Sequence, residues 1–196
     1  MLKDLGAIER PSVTESEKEF YTPAEMREML VAVRRELLPQ LVLCAYAGPR
    51  KAESGRVDWG QVKLDRGFVE LKGRQSKVGQ RRLAPLTGLA ADWLRPAVRE
   101  NGPIAHYQHA DKFNAAVSED VNRVRLKQNL KPDFRWKNNG LRDSLISYRV
   151  AAIKNVPQVA LEAGNSPVMI QRHYLEVVSE EEAKEYFGIA PPTTPK

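Results

Sequence analysis

Four side chains in separate segments of the chain are of the types needed to act on a phosphate ester. They are Arg50, Lys77, Arg142 and Tyr174. A phenol can attack phosphorus, and a lysine can protonate a departing oxygen. Arginines offer forked donors to the non-bridging oxygens, and these hydrogen bonds strengthen as charge builds up in a pentacoordinate phosphorus. Brought together, such residues could break a phosphodiester without a metal ion.

The segments around the two arginines favour an anion site. Asn139 and Arg142 are three residues apart, so they share one face of a helix and can address the same ligand. The start of a helix also presents the positive end of its dipole. Arg50 follows Gly48-Pro49 at the end of an apolar run, which predicts a guanidinium beside the core.

Helix signals cover much of the chain. Thr22-Pro23-Ala24-Glu25 combines a cap, an N-terminal proline and a capping box, and predicts a helix to about Arg35. The apolar run from Glu36 to Gly48 predicts a core helix broken or offset at Pro39. Further helical patterns cover residues 87–100, 110–127, 139–154, 156–163 and 167–175, and a short amphipathic helix follows the capping box at 179–182.

Three short runs of alternating polarity, at 62–64, 68–71 and 82–86, predict a small three-stranded antiparallel sheet. The second hairpin, from Lys72 to Arg82, carries five cations and no acid. The predicted fold class is therefore mainly α with one small three-stranded antiparallel β-sheet, an α+β domain.

Composition favours a soluble protein with a polyanionic partner. The 196 residues carry a net charge of +6 and a pI near 9.5, which attracts nucleic acid. No apolar stretch is long enough to span a membrane, and the first residues lack a signal-peptide pattern, so a cytoplasmic location is expected. The single cysteine, Cys44, fits a reducing compartment. His106 and His109 are spaced like metal ligands but have no acidic cluster beside them, so no metal is predicted.

Four segments, in order, resemble the motifs of the tyrosine recombinases, the family of phage integrases and chromosome-dimer resolvases. Residues 47–53 resemble the first arginine box, and residues 75–86 resemble the hairpin lysine with the strand behind it. Residues 139–144 stand in the place of the His-x-x-Arg box. Tyr174, nine residues after Asn165, matches the spacing from the Gly-His box to the nucleophile. The resemblance covers about residues 20–188, the catalytic domain of the family.

The resemblance implies a metal-free transesterification of double-stranded DNA that needs no cofactor. Tyr174 would form a 3′-phosphotyrosine, Arg50 and Arg142 would stabilise the transition state, and Lys77 would protonate the 5′-oxygen. Glu53 and Asp143 are candidates to hold the arginines or a proton-transfer network in position. The predicted DNA-binding cations are Lys51, Lys72, Arg74, Arg81 and Arg82.

Both histidines of the family pattern are replaced, by Asn139 and Asn165. Asparagine can donate a hydrogen bond to phosphate but cannot exchange a proton near neutral pH. Asn139 has an alternative interpretation as a helix cap, and Asn165 as a turn residue. His173 is adjacent to Tyr174, but neighbouring helical residues point about 100° apart, so it is not the expected base. The alternative function is therefore a DNA-binding relative with weakened catalysis.

The resemblance also predicts the organisation of the chain. Residues 1–20 are expected to be a linker or arm, 21–188 the catalytic domain, and 189–196 a disordered tail. Family members carry an upstream helical domain that completes a clamp around DNA, and 20 residues are too few to form one. A monomer in solution and a tetramer on DNA both fit the resemblance. The helix near 183–187 would exchange with a neighbour or fold back on its own domain.

This interpretation depends on two structural conditions. The guanidinium groups of Arg50 and Arg142 must share one anion position. The phenol of Tyr174 must not be sealed in the protein interior, although a tyrosine that is only retracted on a mobile tail would still be compatible.

Overall fold

A computed structural model describes residues 18–72, 81–175 and 177–192. The predicted fold class is confirmed, since helices dominate and the described strands form one antiparallel sheet. The helices are α1 (Pro23–Ala32), α2 (Leu38–Tyr46), α3 (Lys51–Ser54), α4 (Ala90–Leu94), α5 (Ala110–Lys127), α6 (Gly140–Ile153), α7 (Val156–Ala163), α8 (Pro167–Tyr174) and α9 (Glu180–Phe187).

The first two helices begin at the signals found in the sequence. The Thr22 hydroxyl accepts a hydrogen bond from the Glu25 amide at 3.2 Å, and the Glu25 carboxylate accepts one from the Thr22 amide at 2.8 Å. Pro39 lies in the first turn of α2. The expectation that Pro39 breaks the apolar helix is wrong, because proline is tolerated where the first amides have no helical partner.

The sheet is formed by β1 (Val62–Lys63), β2 (Phe68–Leu71) and β3 (Arg82–Pro85), in that order. In β2 and β3, Leu71 pairs with Arg82 and Phe68 with Pro85. The β2–β3 pairing therefore brings the start of β3 next to the segment that leaves α2. Residues 73–80, which include Lys77 and Arg74, lie outside the described residues.

The helix predicted over 87–100 is shorter in the structure. It runs from Ala90 to Leu94 and continues as a single 3₁₀ turn, Arg95–Ala97. Pro96 has no amide hydrogen to donate, so the α-helical hydrogen-bond pattern stops before it.

The core surrounds α2, which is buried along almost its whole length. On one side, α9 packs against α6 and α1 and inserts the fully buried Tyr186. The C-terminal helix thus folds back on its own domain. Among the described residues, no helix combines the length and apolar character needed to cross a bilayer.

The two ends of the predicted domain are better packed than expected. Phe20, in the predicted arm, packs edge-on against Tyr148 with ring centroids 6.3 Å apart. Ile189, in the predicted tail, is buried, and its carbonyl accepts a 2.8 Å hydrogen bond from the Trp93 indole. The expectation that the disordered tail starts at 189 is therefore wrong.

Candidate active site

Arg50 is positioned by the turn that joins α2 to α3. Gly48 has a φ of +57°, a left-handed conformation that turns the chain after the apolar helix. The Arg50 guanidinium donates to Glu53 Oε1 at 3.1 Å and also to the carbonyl of Gly164. Arg50 therefore connects α3 to the end of α7.

Arg142 lies in the first turn of α6. It donates hydrogen bonds to the turn after α2 and to the end of α7. Its contacts are the carbonyl of Gly48, the carbonyl of Ala163 at 2.5 Å and Oδ1 of Asn165 at 2.7 Å. Arg50 and Arg142 thus bind two consecutive carbonyls, those of Gly164 and Ala163. The two guanidinium groups therefore lie near each other, and a shared anion position for them stays a prediction.

The electrostatics of Arg142 reflect this crowding. Burial lowers the pKa of Arg142, and the positive charges of Arg82 and Arg50 lower it further, to about 10. A guanidinium with this pKa is still charged at neutral pH. An anion that reached the cluster would relieve the repulsion between the cations.

Gly164 forms the floor of the arginine cluster. Its φ is +66°, and a Cβ at this position would lie 3.0 Å from Nη2 of Arg50 and 3.2 Å from Cδ of Arg82. Both the backbone conformation and the close approach require glycine. The turn between α7 and α8 therefore sets how far the arginines can extend.

Asn139 begins α6 in a left-handed conformation with a φ of 57° and makes no side-chain capping hydrogen bond. Its side chain is exposed and lines a cavity of about 50 Å³ together with Lys51 and Arg142. Asn139 therefore occupies the N-cap position, as its alternative interpretation predicted, but it caps the helix without a side-chain hydrogen bond. Asn165, by contrast, contacts Arg142 directly.

Tyr174 does not meet the second condition. Only 4% of the residue is exposed, and its ring packs in a small apolar cluster with Ile146 and Ile170. The hydroxyl donates a 2.6 Å hydrogen bond to Oδ1 of Asp143. The expectation of an accessible phenol is wrong for this conformation, because the ring is covered by α6 and α8.

The hydrogen bond also makes the phenol harder to ionise. Burial raises the pKa of Tyr174, and the hydrogen bond and the negative charge of Asp143 raise it further. Arg142 lowers the same pKa, which places the phenol within electrostatic reach of the arginine cluster. Tyr174 is therefore close to the site but blocked from it.

Helix α8, which carries Tyr174, is weakly anchored. Ile170 and Tyr174 are its buried residues, while Val168 and Met169 are exposed. Few buried apolar side chains hold such a helix, and segments of this kind open at low free-energy cost.

The predicted DNA-binding cations are in different environments. Lys72 is exposed, Lys51 forms a 2.7 Å ion pair with Asp111, and Arg81 forms a 2.9 Å ion pair with Glu70. Arg74 lies outside the described residues. The exposed cations have the access that a DNA backbone contact needs.

Arg82 is the exception among these cations. Its side chain is 9% exposed and donates to both carboxylate oxygens of Glu53, at 2.9 and 2.8 Å. The DNA-binding role of Arg82 stays a prediction, but its side chain faces inward, because strand neighbours point to opposite faces and Arg81 takes the outer one. This alternation was the available sequence signal. In the part of the chain that the structure describes, no group of three or more His, Cys, Asp or Glu side chains is arranged to hold a metal ion.

No protein-family model matches the sequence, and no curated protein matches it. Solved structures do match. A XerA recombinase has a TM-score of 0.61 at 11% identity, with 91% of this chain and 68% of that chain covered. An integrase from mycobacterium phage Brujita has a TM-score of 0.60 at 15% identity, with 96% and 63% covered. A XerH site-specific recombinase bound to palindromic difH substrate, in a post-cleavage complex, has a TM-score of 0.59 at 16% identity, with 90% and 54% covered.

By their names, these proteins are two recombinases and a phage integrase, and the fold of this chain is similar to theirs. The similarity expected from the four sequence motifs is confirmed at the level of fold. The chain spans between about half and two thirds of the length of these proteins. At 11–16% identity the comparison establishes the fold, and function must be argued from the site.

Proposed function

We propose that this chain is the catalytic domain of a site-specific DNA recombinase or integrase, in a conformation that holds back its nucleophile. The observation that carries the proposal is the pairing of Arg50 and Arg142 on the consecutive carbonyls of Gly164 and Ala163. Two guanidinium groups held side by side can grip two non-bridging oxygens of one phosphate. The net charge of +6 supports DNA as the partner.

In the proposed reaction, Tyr174 loses its phenolic proton to solvent, and its oxygen attacks the scissile phosphorus and displaces the 5′-oxygen, leaving a 3′-phosphotyrosine. Arg50 and Arg142 stabilise the added negative charge in the transition state. Lys77 protonates the departing oxygen. Attack by a 5′-hydroxyl then reverses these bond changes and frees the tyrosine, so no external energy source is needed.

Cleavage requires Tyr174 to leave its pocket. Exposing the ring costs about 1.5–3 kcal/mol, and losing a hydrogen bond to a charged acceptor costs about 1.5–3 kcal/mol. At about 1.4 kcal/mol per tenfold change, the open form amounts to roughly one molecule in 10² to 10⁴. DNA that contacts α8 or the arginines in the open form would raise this population.

The test is covalent capture on nicked duplex DNA. Because the target sequence is not known, the substrate is a pool of nicked duplexes with randomised centres. We expect a protein-DNA adduct that survives denaturing electrophoresis and is absent in Tyr174→Phe. Tyr148→Phe is the matched control, because it removes another buried hydroxyl, which donates a 3.1 Å hydrogen bond to the Tyr21 carbonyl. An adduct that persists in Tyr174→Phe would refute the role of this tyrosine.

A second candidate is a DNA-binding domain that has lost cleavage. The burial of Tyr174 and the replacement of both family histidines by Asn139 and Asn165 favour it. This candidate predicts DNA retention that is weakened by substitution of Arg50 or Arg142, with no adduct under any condition. A protein that does not act on DNA would show retention that is independent of both arginines.

A further inference from the structure

A third arginine, Arg82, is built into the site from the sheet side. It begins β3, and both of its terminal nitrogens donate to Glu53, at 2.9 and 2.8 Å. Nη2 also lies 3.4 Å from the carbonyl of Gly48, which accepts from Arg142 as well. Arg82 therefore links Glu53 to the backbone that holds Arg142.

Glu53 is shared between Arg82 and Arg50. Its Oε1 accepts from Nη1 of Arg50 at 3.1 Å, and its Oε2 accepts from the Arg50 amide at 2.8 Å. With the two bonds from Arg82, the carboxylate is fixed on both oxygens. The direction of the Arg50 guanidinium thus depends on a carboxylate whose orientation Arg82 helps to set.

One feature of Arg82 is unexpected for a purely structural ion pair. Its Nε is buried, and no hydrogen-bond partner for it is found among the described residues. This nitrogen lies 3.5 Å from the position that a Cβ on Gly164 would take. The carbonyl of the same glycine accepts a hydrogen bond from Arg50. A buried N–H without a hydrogen-bond partner is unfavourable. Arg82 thus keeps both hydrogen bonds to Glu53 while its Nε stays unpaired among the described residues.

The net charge of the arginine cluster matches the charge of the pentacoordinate transition state better than that of the bound phosphodiester. Arg50, Arg82 and Arg142 carry three positive charges, and Glu53 removes one, which leaves two. A phosphodiester has one negative charge, and the pentacoordinate species formed from it by a phenolate has two. Removal of one cation should therefore weaken the transition state more than DNA binding.

We infer that Arg82 is a positioning residue that acts through Glu53 to hold Arg50 against the scissile phosphate and adds positive charge behind it. The inference rests on the proposed DNA-cleaving function. Arg82 touches neither DNA nor the reacting atoms, since its side chain is enclosed by Glu53, Gly48 and Gly164.

The experiment compares Arg82→Gln and Arg82→Lys with the unmodified chain on the nicked DNA pool. For Arg82→Gln we expect the single-turnover rate of adduct formation at saturating DNA to fall roughly 100-fold, the size of effect that slight misplacement of a reacting group has. The Kd for DNA, measured by fluorescence anisotropy, should stay within about threefold, because the lost charge counts mainly in the transition state. Arg82→Lys keeps the positive charge but cannot make both hydrogen bonds to Glu53 in the same way. Its rate of adduct formation should therefore lie between those of the unmodified chain and Arg82→Gln.

Arg34→Gln is the matched control. Arg34 makes a similar two-point contact with a buried carboxylate, Asp120, at 2.9 and 3.2 Å, but between α1 and α5. Arg34→Gln should lower the stability of the fold. It should not lower the rate of adduct formation relative to the affinity for DNA. Equal loss of rate and affinity in Arg82→Gln, or an unchanged rate, would overturn the inference.

A second readout separates this inference from the proposed function. The Arg50 Nε–Hε group can be followed by ¹⁵N relaxation in the DNA-free protein, with Arg149, which pairs with Glu162 at 2.9 Å, as the internal reference. Arg82→Gln should increase the mobility of Arg50 but not that of Arg149. If the unmodified chain forms no adduct, the proposed function fails and this measurement alone decides the role of Arg82. An unchanged Arg50 signal refutes it.

Discussion

The hydroxyl of Tyr174 donates a 2.6 Å hydrogen bond to Oδ1 of Asp143, the residue that follows Arg142 in α6. The proposed nucleophile is therefore held by the neighbour of a proposed phosphate-binding arginine. An anion that pulls Arg142 towards itself acts on the same turn of helix that retains the phenol. Under the proposed function, binding of a DNA phosphate at Arg142 would therefore favour release of Tyr174.

Asp143→Asn tests the retention of the phenol. Asparagine keeps an acceptor for the Tyr174 hydroxyl but removes the carboxylate charge, which contributes to the raised pKa of the phenol. We expect the pKa of Tyr174 to fall towards its usual value, and adduct formation to be roughly fivefold faster, because a neutral acceptor holds the phenol less strongly. Tyrosinate absorbance during a pH titration, with Tyr174→Phe subtracted, reports the pKa. A slower reaction would argue that Asp143 assists catalysis instead of restraining it.

Glu53→Gln tests the ion pairs behind Arg50. Burial alone would raise the pKa of Glu53, but hydrogen bonds from Arg82 and Arg50 outweigh it and hold the pKa below the usual 4.5. Glu53 therefore stabilises the fold above about pH 4.5, and this contribution is lost as the pH falls through its lowered pKa. At about pH 7, Glu53→Gln should lower the free energy of unfolding by about 3–5 kcal/mol, because the largely buried Arg82 and the partly buried Arg50 lose their charged partner.

The pH dependence supplies the check on this prediction. Denaturant unfolding of both proteins at a series of pH values should show the difference between them shrinking as the pH falls below 4.5 and through the lowered pKa of Glu53. A difference that stays constant across this range would mean that Glu53 contributes through packing and not through charge.

Gly164→Ala tests the close approach of the turn to the arginines. Placing alanine in a left-handed conformation costs about 1–2 kcal/mol, and here its Cβ would also lie 3.0 Å from Nη2 of Arg50. Gly67→Ala is the matched control, since its φ is +69° and no atom lies within 4 Å of the added Cβ. Gly164→Ala should destabilise the chain more than Gly67→Ala in denaturant unfolding, and it alone should reduce adduct formation. Equal effects would show that the contact with Arg50 is unimportant.

Asn165→His tests the missing histidine. Oδ1 of Asn165 accepts a 2.7 Å hydrogen bond from Arg142, and a neutral imidazole can accept the same bond while adding a group that exchanges protons. We expect adduct formation to become roughly tenfold to 100-fold faster and to vary with pH near 6.5, where histidine titrates. Asn165→Ala, which removes the acceptor, should be slower than the unmodified chain. A rate in Asn165→His that is unchanged across this pH range would count against acid-base assistance at this position.

Much of the secondary structure could be predicted from short-range signals. The helix predicted over 110–127 is present with the same limits, and the capping box at Thr22 marks the start of α1. The three alternating runs became the three strands. The helix predicted over 87–100 is shorter for an equally local reason, since Pro96 ends it.

The sequence identified residues of the candidate site but not how those residues are arranged. Spacing and residue type singled out Arg50, Arg142, Asn165 and Tyr174, and the structure brings the first three into contact through the turn at Gly164. The same signals did not indicate that Arg82 faces inward onto Glu53. Nor did they indicate that Asp143 binds the phenol of Tyr174 instead of an arginine.

The sequence by itself determined where most helices and strands begin, the excess of positive charge, and which side chains are candidates for the chemistry. These properties depend on residues within one or two turns of each other or on composition alone. The tertiary structure decided which arginine is buried, which carboxylate it meets, and whether the tyrosine is exposed. Those outcomes depend on packing between segments far apart in the chain, such as Glu53 with Arg82 and Asp143 with Tyr174, and no local pattern specifies which distant surface will cover a given side chain.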